Sequence, residues 1–583
     1  MPQDPIEHLR HSLAHLLGAA VLELYPGSKL AIGPSIDGGF YYDIDVAGKI
    51  SDADLPRIEA EMRKILKTWD KFEGREVDAD EARKFFKGNP YKEELISELE
   101  NKGEKITLYT SGSFTDLCRG GHVASAKDIN PEAFKLSHVA GAYWRGDEKN
   151  PQLTRAYGFA FVTKRELDDH VTMLEEAKKR DHRKLGQQLE LFTTIEEVGP
   201  GLPFWLPKGT ILKEVLESFA KEIEAKEGYQ RISTPHIAKE NIFKTSGHLP
   251  YYADDMYPPM ASEEGNYYLK PMNCPFSHMV YGYKKRSYRE LPVRFAEFGT
   301  VYRYEKSGEL LGLLRVRGMT QNDAHIYCTE EQAVDELVKI INLHSFYYKI
   351  FGIKDYYIEL ALPDFKNQKN KYFDNPSGWE NAIKILKEAA KKSGIEYVEN
   401  EGGAAFYGPK FDFNIKSAIG KEYGASTNQL DFGSGQRFGL NYVDKDGSDK
   451  TIPYTIHRAP LGSDERFIGF LIEHFAGAFP VWLSPVQAAV LPITEKQNKW
   501  AENVRDKLKE AGIRTEVDLD NETLGKKIRQ AELQKVPYVL VVGEKEVKAK
   551  AVAVRQRGKG DVGQIKIEEF IEKITKEIES KRP

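Results

Sequence analysis

Three cysteines in 583 residues, Cys118, Cys274 and Cys328, are too few and too scattered for a disulfide framework, which points to a reducing compartment. No apolar run approaches about 18 residues, so no segment is expected to span a membrane. The opening MPQDPIEHLRHSLAHLL carries acids and histidines where a signal peptide needs a basic start and a longer apolar core. A cytoplasmic location is expected. Neither sign of charge dominates: the net charge is −5 with 30% charged residues. That excludes a polyanion binder by bulk charge and leaves nucleic-acid binding to local basic patches. There is no tandem repeat and no low-complexity tract. A chain of this length is expected to hold three or four domains.

What is there centres on Glu297 to Tyr327, EFGTVYRYEKSGELLGLLRVRGMTQNDAHIY. The alternating run Val301 to Glu305 reads as a strand. A Gly-bearing loop, Ser307 to Gly312, follows. A second strand-like run carries Arg315 and Arg317 and ends in Gln321, Asp323 and His325. Those three alternate, so a strand would set them on one face. Separated arginines suit phosphate and carboxylate oxygens.

RYE, a loop and then RVRGMTQNDAH resembles motif 2 of the class II aminoacyl-tRNA synthetases, in its threonyl form. GYQRISTPHI (Gly228 to Ile237) resembles motif 1 and HRAPLGSDERFIG (His457 to Gly469) resembles motif 3, with Arg466 as its arginine. The resemblance runs from about His11 to the C-terminus. It implies an α+β multidomain chain: an editing domain at 1–164, a helical linker at 165–192, an antiparallel-sheet catalytic domain at 193–484 and an α/β anticodon-binding domain at 485–583. Many bacterial relatives carry a ubiquitin-like domain ahead of the editing domain. Here HSLAHLL starts at residue 11, so that domain is not expected.

Residues 6–25 have helical apolar spacing, which sets His11 and His15 on one face. Cys118 and His122 recur at the same spacing in DLCRGGH. Two such pairs could make a four-ligand metal cluster. The family suggests instead a pocket that hydrolyses misacylated tRNA, with His11, His15, Lys92 and His122 handling water and Asp116 and Cys118 contacting the adenosine end. Residues 165–190 read as a charged, solvated helix in which AKKRDHRK could touch a tRNA backbone. Lys208 to Lys226 is amphipathic, with Ile211, Leu212, Val215, Leu216, Phe219 and Ile223 at three- and four-residue steps. With the next strand it makes motif 1, which implies a homodimer. Trp379 to Lys392 reads as a helix, Thr427 to Phe432 as a further strand and Asp444 to Asp449 as a hairpin tip. From Pro485, strands and helices alternate, giving a small α/β domain. Its face collects Lys526, Lys527, Arg529, Lys535, Lys548, Lys550, Arg555 and Arg557. The family pattern makes Asn521, Arg529, Glu546 and Arg555 the anticodon contacts.

The resemblance also assigns the central chemistry. Cys274, His325 and His457 are implied to hold one zinc ion with an open position. Gln321, Asp323, Tyr407 and Gln429 are implied to bind threonine. Arg303, Glu305, Arg315 and Arg466 are implied to bind ATP with Mg²⁺, and Lys410 and His248 to assist catalysis, His248 as a proton relay. A hydroxyl-demanding site rejects valine, whereas serine lacks only one methyl, worth ~1–3 kcal/mol. Serine leakage explains a second, hydrolytic site acting on seryl-tRNA(Thr). Two rival readings are a non-catalytic class II paralogue and a related synthetase for proline. The first would be expected to have lost an ATP arginine or a zinc ligand. The second has no use for a hydroxyl-binding aspartate.

Overall fold

The structure is a computed structural model and describes residues 5–368, 371–416, 422–449 and 451–583. It divides into two compact units, Met1–Glu175 and Glu176–Pro583. No described helix is long and apolar enough to cross a membrane.

In the first unit, the expected helix is Pro5–Leu24. Its apolar face, with Leu13, Leu16, Leu17 and Ala20, is buried with Phe40, Tyr42 and Ile44 of the strand Gly39–Asp45. That strand pairs antiparallel with Gln152–Ala160, which pairs with Phe134–Tyr143. A separate three-stranded sheet runs Glu73–Val77, Ile106–Ser111, Phe114–Leu117. Its last strand carries Asp116 and delivers Cys118 just beyond its end.

The second unit is built on an eight-stranded sheet. Its order is Gln230–Arg231, Val293–Tyr302, Gly318–Cys328, Tyr454–Ala459, Glu422–Asp431, Lys410–Lys416, Tyr356–Leu362, Val398–Glu401. Only the first and last pairs are parallel. Alternation gives the sheet two different faces. Ile326, Ile456, Leu430, Phe411 and Leu360 bury themselves under helices, among them Pro207–Lys226 through Leu212, Leu216 and Phe219 and Glu330–Phe351 through Leu337, Ile340 and Ile341. The other face is left for polar residues. The expected helix at Trp379 to Lys392 is Pro376–Ser393.

Two local expectations are corrected. The strand expected over Val301 to Glu305 ends at Tyr302, because its partner strand begins only at Gly318. The Arg317 amide turns to the Gly201 carbonyl, 2.6 Å away, and beyond it the Arg303 amide reaches across to the Arg317 carbonyl at 2.8 Å without continuing the ladder. The charged helix expected over 165–190 is two helices, Lys164–Arg180 and His182–Gln188. Asp181 breaks it by accepting the Arg183 amide at 2.8 Å. The second piece is no solvated linker: His182 and Leu185 are buried.

The C-terminal part alternates as expected through Ala488–Pro492, Asn498–Glu510, Thr515–Val517, Leu524–Leu533 and Tyr538–Val542, and ends in the helix Ile567–Ser580. A short helix, Glu544–Ala549, and a hairpin, Ala551–Gln556 with Gly560–Lys566, were not anticipated. The basic face is also smaller than the sequence suggests. Lys527 is buried and donates to the Asp518 carbonyl at 2.9 Å, and Arg557 is spent on the carbonyls of Lys535, Ala478 and Phe479.

Candidate active site

Across the polar face of the large sheet, register builds a row. His325 lies opposite His457, His457 opposite Gln429, and Gln429 opposite Lys410. Two and four residues back from His325 along its strand stand Asp323 and Gln321 on the same face. The row floors a cavity of about 360 Å³ that Cys274, Arg303, Tyr407 and Arg466 also line. Cys274 enters from the N-terminus of the helix Cys274–Gly282. Gly408 lets the chain bearing Tyr407 press on the neighbouring strand, since a Cβ there would lie 1.9 Å from the Leu430 carbonyl oxygen.

One sulfur and two imidazoles meet here. Ligand atoms of Cys274, His325 and His457 all lie within 4.8 Å of one another, and all three residues are buried. Burial pushes the Cys274 thiol well up and the His325 imidazole well down. Asp431, which sequence reasoning placed on a strand without a role, is buried 3.0 Å from His457 Nε2. Its other oxygen accepts the amides of Gly433 (2.9 Å) and Ser434 (2.8 Å). With Nε2 held by that carboxylate, Nδ1 is the nitrogen of His457 left to ligate. The donor set suits zinc. Counting by twos from Gln429 would have found Asp431.

Around this trio, Asn273 donates to Asp323 at 3.2 Å, and burial raises the Asp323 carboxyl above its ordinary range. The Tyr407 hydroxyl donates to Gln429, and its ring stacks on His457 at 5.0 Å. Lys410 is paired with Asp412 at 2.5 Å. Arg466 is pushed down by burial and by the nearby Arg303. Two guanidiniums crowded in a buried cavity form a seat for an anion.

Three expected residues stand apart from the cavity lining. Glu305 and Arg315 hold each other at 2.8 Å, and Arg315 also reaches Glu309 at 2.6 Å. His248 is buried behind Met272, its Nε2 3.0 Å from the sulfur, and burial pushes its imidazole down to about 4.

In the first unit, His11, His15, Lys92, Asp116 and Cys118 line a cavity of about 610 Å³. His122 lies beside it, 3.3 Å from Cys118 Sγ, and His11 Nε2 is 3.5 Å from the same sulfur. The four His/Cys ligand atoms are within 4.8 Å of one another. Burial pushes the Cys118 thiol up to about 12 and His122 down to about 2, so this is a neutral thiol among neutral imidazoles. Asp116 is less free than expected for a contact to adenosine. Its carboxylate is ion-paired with buried Lys92 at 2.5 Å and accepts the Tyr42 hydroxyl.

Of the anticodon candidates, Asn521 and Arg529 are exposed. Arg555 lies 3.9 Å from Glu532. Glu546 accepts from the Gly543 amide at 2.9 Å and from Gln564 at 3.0 Å, so both its oxygens are engaged.

Three family models match the chain. They are a tRNA synthetase class II core domain (G, H, P, S and T) over residues 257–475, an anticodon binding domain over 487–577, and a threonyl and alanyl tRNA synthetase second additional domain over 106–157. A threonine–tRNA ligase of Thermus thermophilus is 51% identical over 98% of this chain and 89% of its own length. One from Sulfurihydrogenibium is 48% identical over 99% and 90%. Among solved structures, the RNA binding domain of threonyl-tRNA synthetase from Cryptosporidium parvum matches with a TM-score of 0.65 and 37% identity, over 68% of this chain and 98% of that one. A prolyl-tRNA synthetase from the same organism, at 18% identity and a TM-score of 0.52 over 68% and 75%, shares the fold. With that geometry and these relatives together, the chain belongs to the threonine–tRNA ligase family of class II aminoacyl-tRNA synthetases.

Proposed function

We propose that this enzyme activates L-threonine with ATP, transfers it to the 3′ end of tRNA(Thr), and hydrolyses seryl-tRNA(Thr) in its N-terminal unit. The observation that carries the reading is the convergence of Cys274, His325 and His457, from three separate elements, beside Asp323 and Gln321. A zinc ion held by those three residues would supply a Lewis-acid seat for the amino and hydroxyl groups of the amino acid. Asp323 accepts the hydroxyl hydrogen, and Gln321 and Tyr407 hold the amino group, with Gln429 fixing the Tyr407 hydroxyl. A valine methyl would leave Asp323 without its partner, and a site built around a polar contact rejects such a mimic strongly.

Arg303 binds the α-phosphate and carboxylate as charge builds, and Arg466 the γ-phosphate, with Mg²⁺ accompanying ATP. Glu305 and Arg315 exchange their mutual ion pair for adenine and phosphate. Lys410 adds positive charge. His248, neutral above about pH 4 because it is buried, serves the transfer step once Met272 gives way. In the N-terminal unit His11 and His15 orient water for attack on the seryl ester, and the Lys92–Asp116 pair fixes the cavity wall. Exposed Asn521 and Arg529, with Arg555 and Glu546, read the anticodon. The helix Pro207–Lys226 and the strand after it form a homodimer interface, which a monomeric mass by light scattering would contradict. Translation and the scarcity of cysteine fit a cytoplasmic enzyme. Pyrophosphate exchange with threonine, serine, valine and proline tests the assignment. Strong exchange with threonine, weaker with serine and none with valine or proline is expected. Exchange with proline alone, or none at all, would overturn it.

A further inference from the structure

The segment between the two central strands, Ser307 to Arg317, carries Arg315, which the reading above assigns to ATP. Its tip, Ser307 to Glu309, and Arg315 are exposed, whereas Leu313, Leu314 and Val316 are buried. Leu313, fully buried, is where it dips into the protein. Its amide donates to His182 Nε2 at 3.1 Å, and the next carbonyl, of Leu314, accepts from Arg466 Nε at 3.1 Å. His182 Nδ1 lies 2.7 Å from the Glu473 carboxylate, on the same helix, Asp464–His474, that bears Arg466.

The two partners dictate one tautomer. The carboxylate needs a hydrogen on Nδ1, and the amide needs a lone pair on Nε2. Gly312 marks how close the approach is. A Cβ at that position would sit 2.2 Å from His182 Nε2, and its φ of +50° suits glycine. Arg180 closes the unit by donating to the carbonyls of Glu473 (3.5 Å) and His474 (3.2 Å). Adjacent residues of the loop are thus gripped by His182 and by Arg466, and both grips trace to one helix.

We propose that His182 is a positioning residue for ATP: it fixes the loop at Leu313 so that Arg315 and Arg303 face the nucleotide. This rests on the ATP reading of that loop. His182 does not line the cavity, so its effect passes through the backbone.

The test uses His182→Asn and His182→Gln in the full chain. An asparagine amide replaces Nδ1 against Glu473 but offers Leu313 nothing, whereas a glutamine carbonyl reaches the place of Nε2. In pyrophosphate exchange, H182N should raise the KM for ATP about five- to tenfold, the worth of one hydrogen bond, and leave the KM for threonine within about twofold. H182Q should restore most of the ATP KM. Trypsin cleavage after Arg315 reads loop order without activity and should be faster in H182N than in wild type or H182Q. An unchanged ATP KM with unchanged cleavage in H182N overturns the proposal, as does equal impairment of both variants. Wild-type protein with no exchange but the expected cleavage pattern would leave the anchor standing and remove the ATP reading instead.

Discussion

Replacing Asp431 by asparagine changes one atom and should weaken the zinc binding proposed for Cys274, His325 and His457. One oxygen of this buried carboxylate is pinned by the amides of Gly433 and Ser434, so the asparagine carbonyl stays there. The new NH₂ then faces His457 Nε2, where the second oxygen stood at 3.0 Å. Two donors would oppose each other unless His457 moves its hydrogen to Nδ1, and an Nδ1–H nitrogen cannot ligate. The loss of a hydrogen bond to a charged group is worth about 1.5–3 kcal/mol, or roughly 10- to 150-fold. Outer-shell substitutions around metal-binding histidines cost about 10- to 100-fold in affinity or activity. D431N should therefore lower zinc affinity by about one to two orders of magnitude in a chelator competition. The KM for threonine in pyrophosphate exchange should rise in step, with the KM for ATP little changed. Wild-type zinc retention together with a wild-type KM for threonine would refute the tautomer argument.

In the N-terminal unit, the double variant His11→Ala, Cys118→Ala should charge threonine normally while seryl-tRNA accumulates, and undiminished clearance of seryl-tRNA would remove the editing assignment. Lys92→Met strands Asp116 in a buried site, which should cost about 3–5 kcal/mol and unfold the N-terminal unit first in a denaturant titration followed by proteolysis. The buried histidines set an acid limb. His278 and His344 are pushed by burial down to about 3 and His248 to about 4, below the unfolded value near 6.5. Their stability contribution is complete above about pH 6.5 and is lost as pH falls from there toward 4, because only the unfolded chain takes up the protons. Each should contribute a slope of about 1 kcal/mol per pH unit, and His344→Phe, beside Phe413, should flatten the fall in thermal midpoint between pH 6.5 and 5.

Much of the site was legible because its residues follow strand periodicity. Gln321, Asp323 and His325 share a face by alternation alone. What alternation cannot give is register. That His325, His457, Gln429 and Lys410 stand in one row depends on how four strands align, and only the family pattern hinted at it. Asp431 obeys the same alternation but offers no motif of its own. His182, Lys527 and Arg557 fail differently. Each lies in a charged run whose local pattern reads as solvated surface; His182 and Lys527 are buried by packing from distant segments, and Arg557 is held by the carbonyls of Lys535, Ala478 and Phe479. The hairpin at Ala551 to Lys566 is hard to read because its second strand, Gly560–Lys566, is mostly exposed and has Gly563 inside it. Glu305 and Arg315 read in sequence as separate ligands of ATP, whereas the fold sets them 2.8 Å apart as an ion pair.

The central claim is that Cys274, His325 and His457 together hold a metal that selects a hydroxyl amino acid. The most direct test is elemental analysis of the purified chain, with threonine-dependent pyrophosphate exchange measured before and after chelation and after zinc is restored. The account predicts one zinc per chain, exchange abolished on removal and regained on return, and neither zinc nor exchange in Cys274→Ala. Full threonine-dependent exchange from a chain free of metal would contradict it.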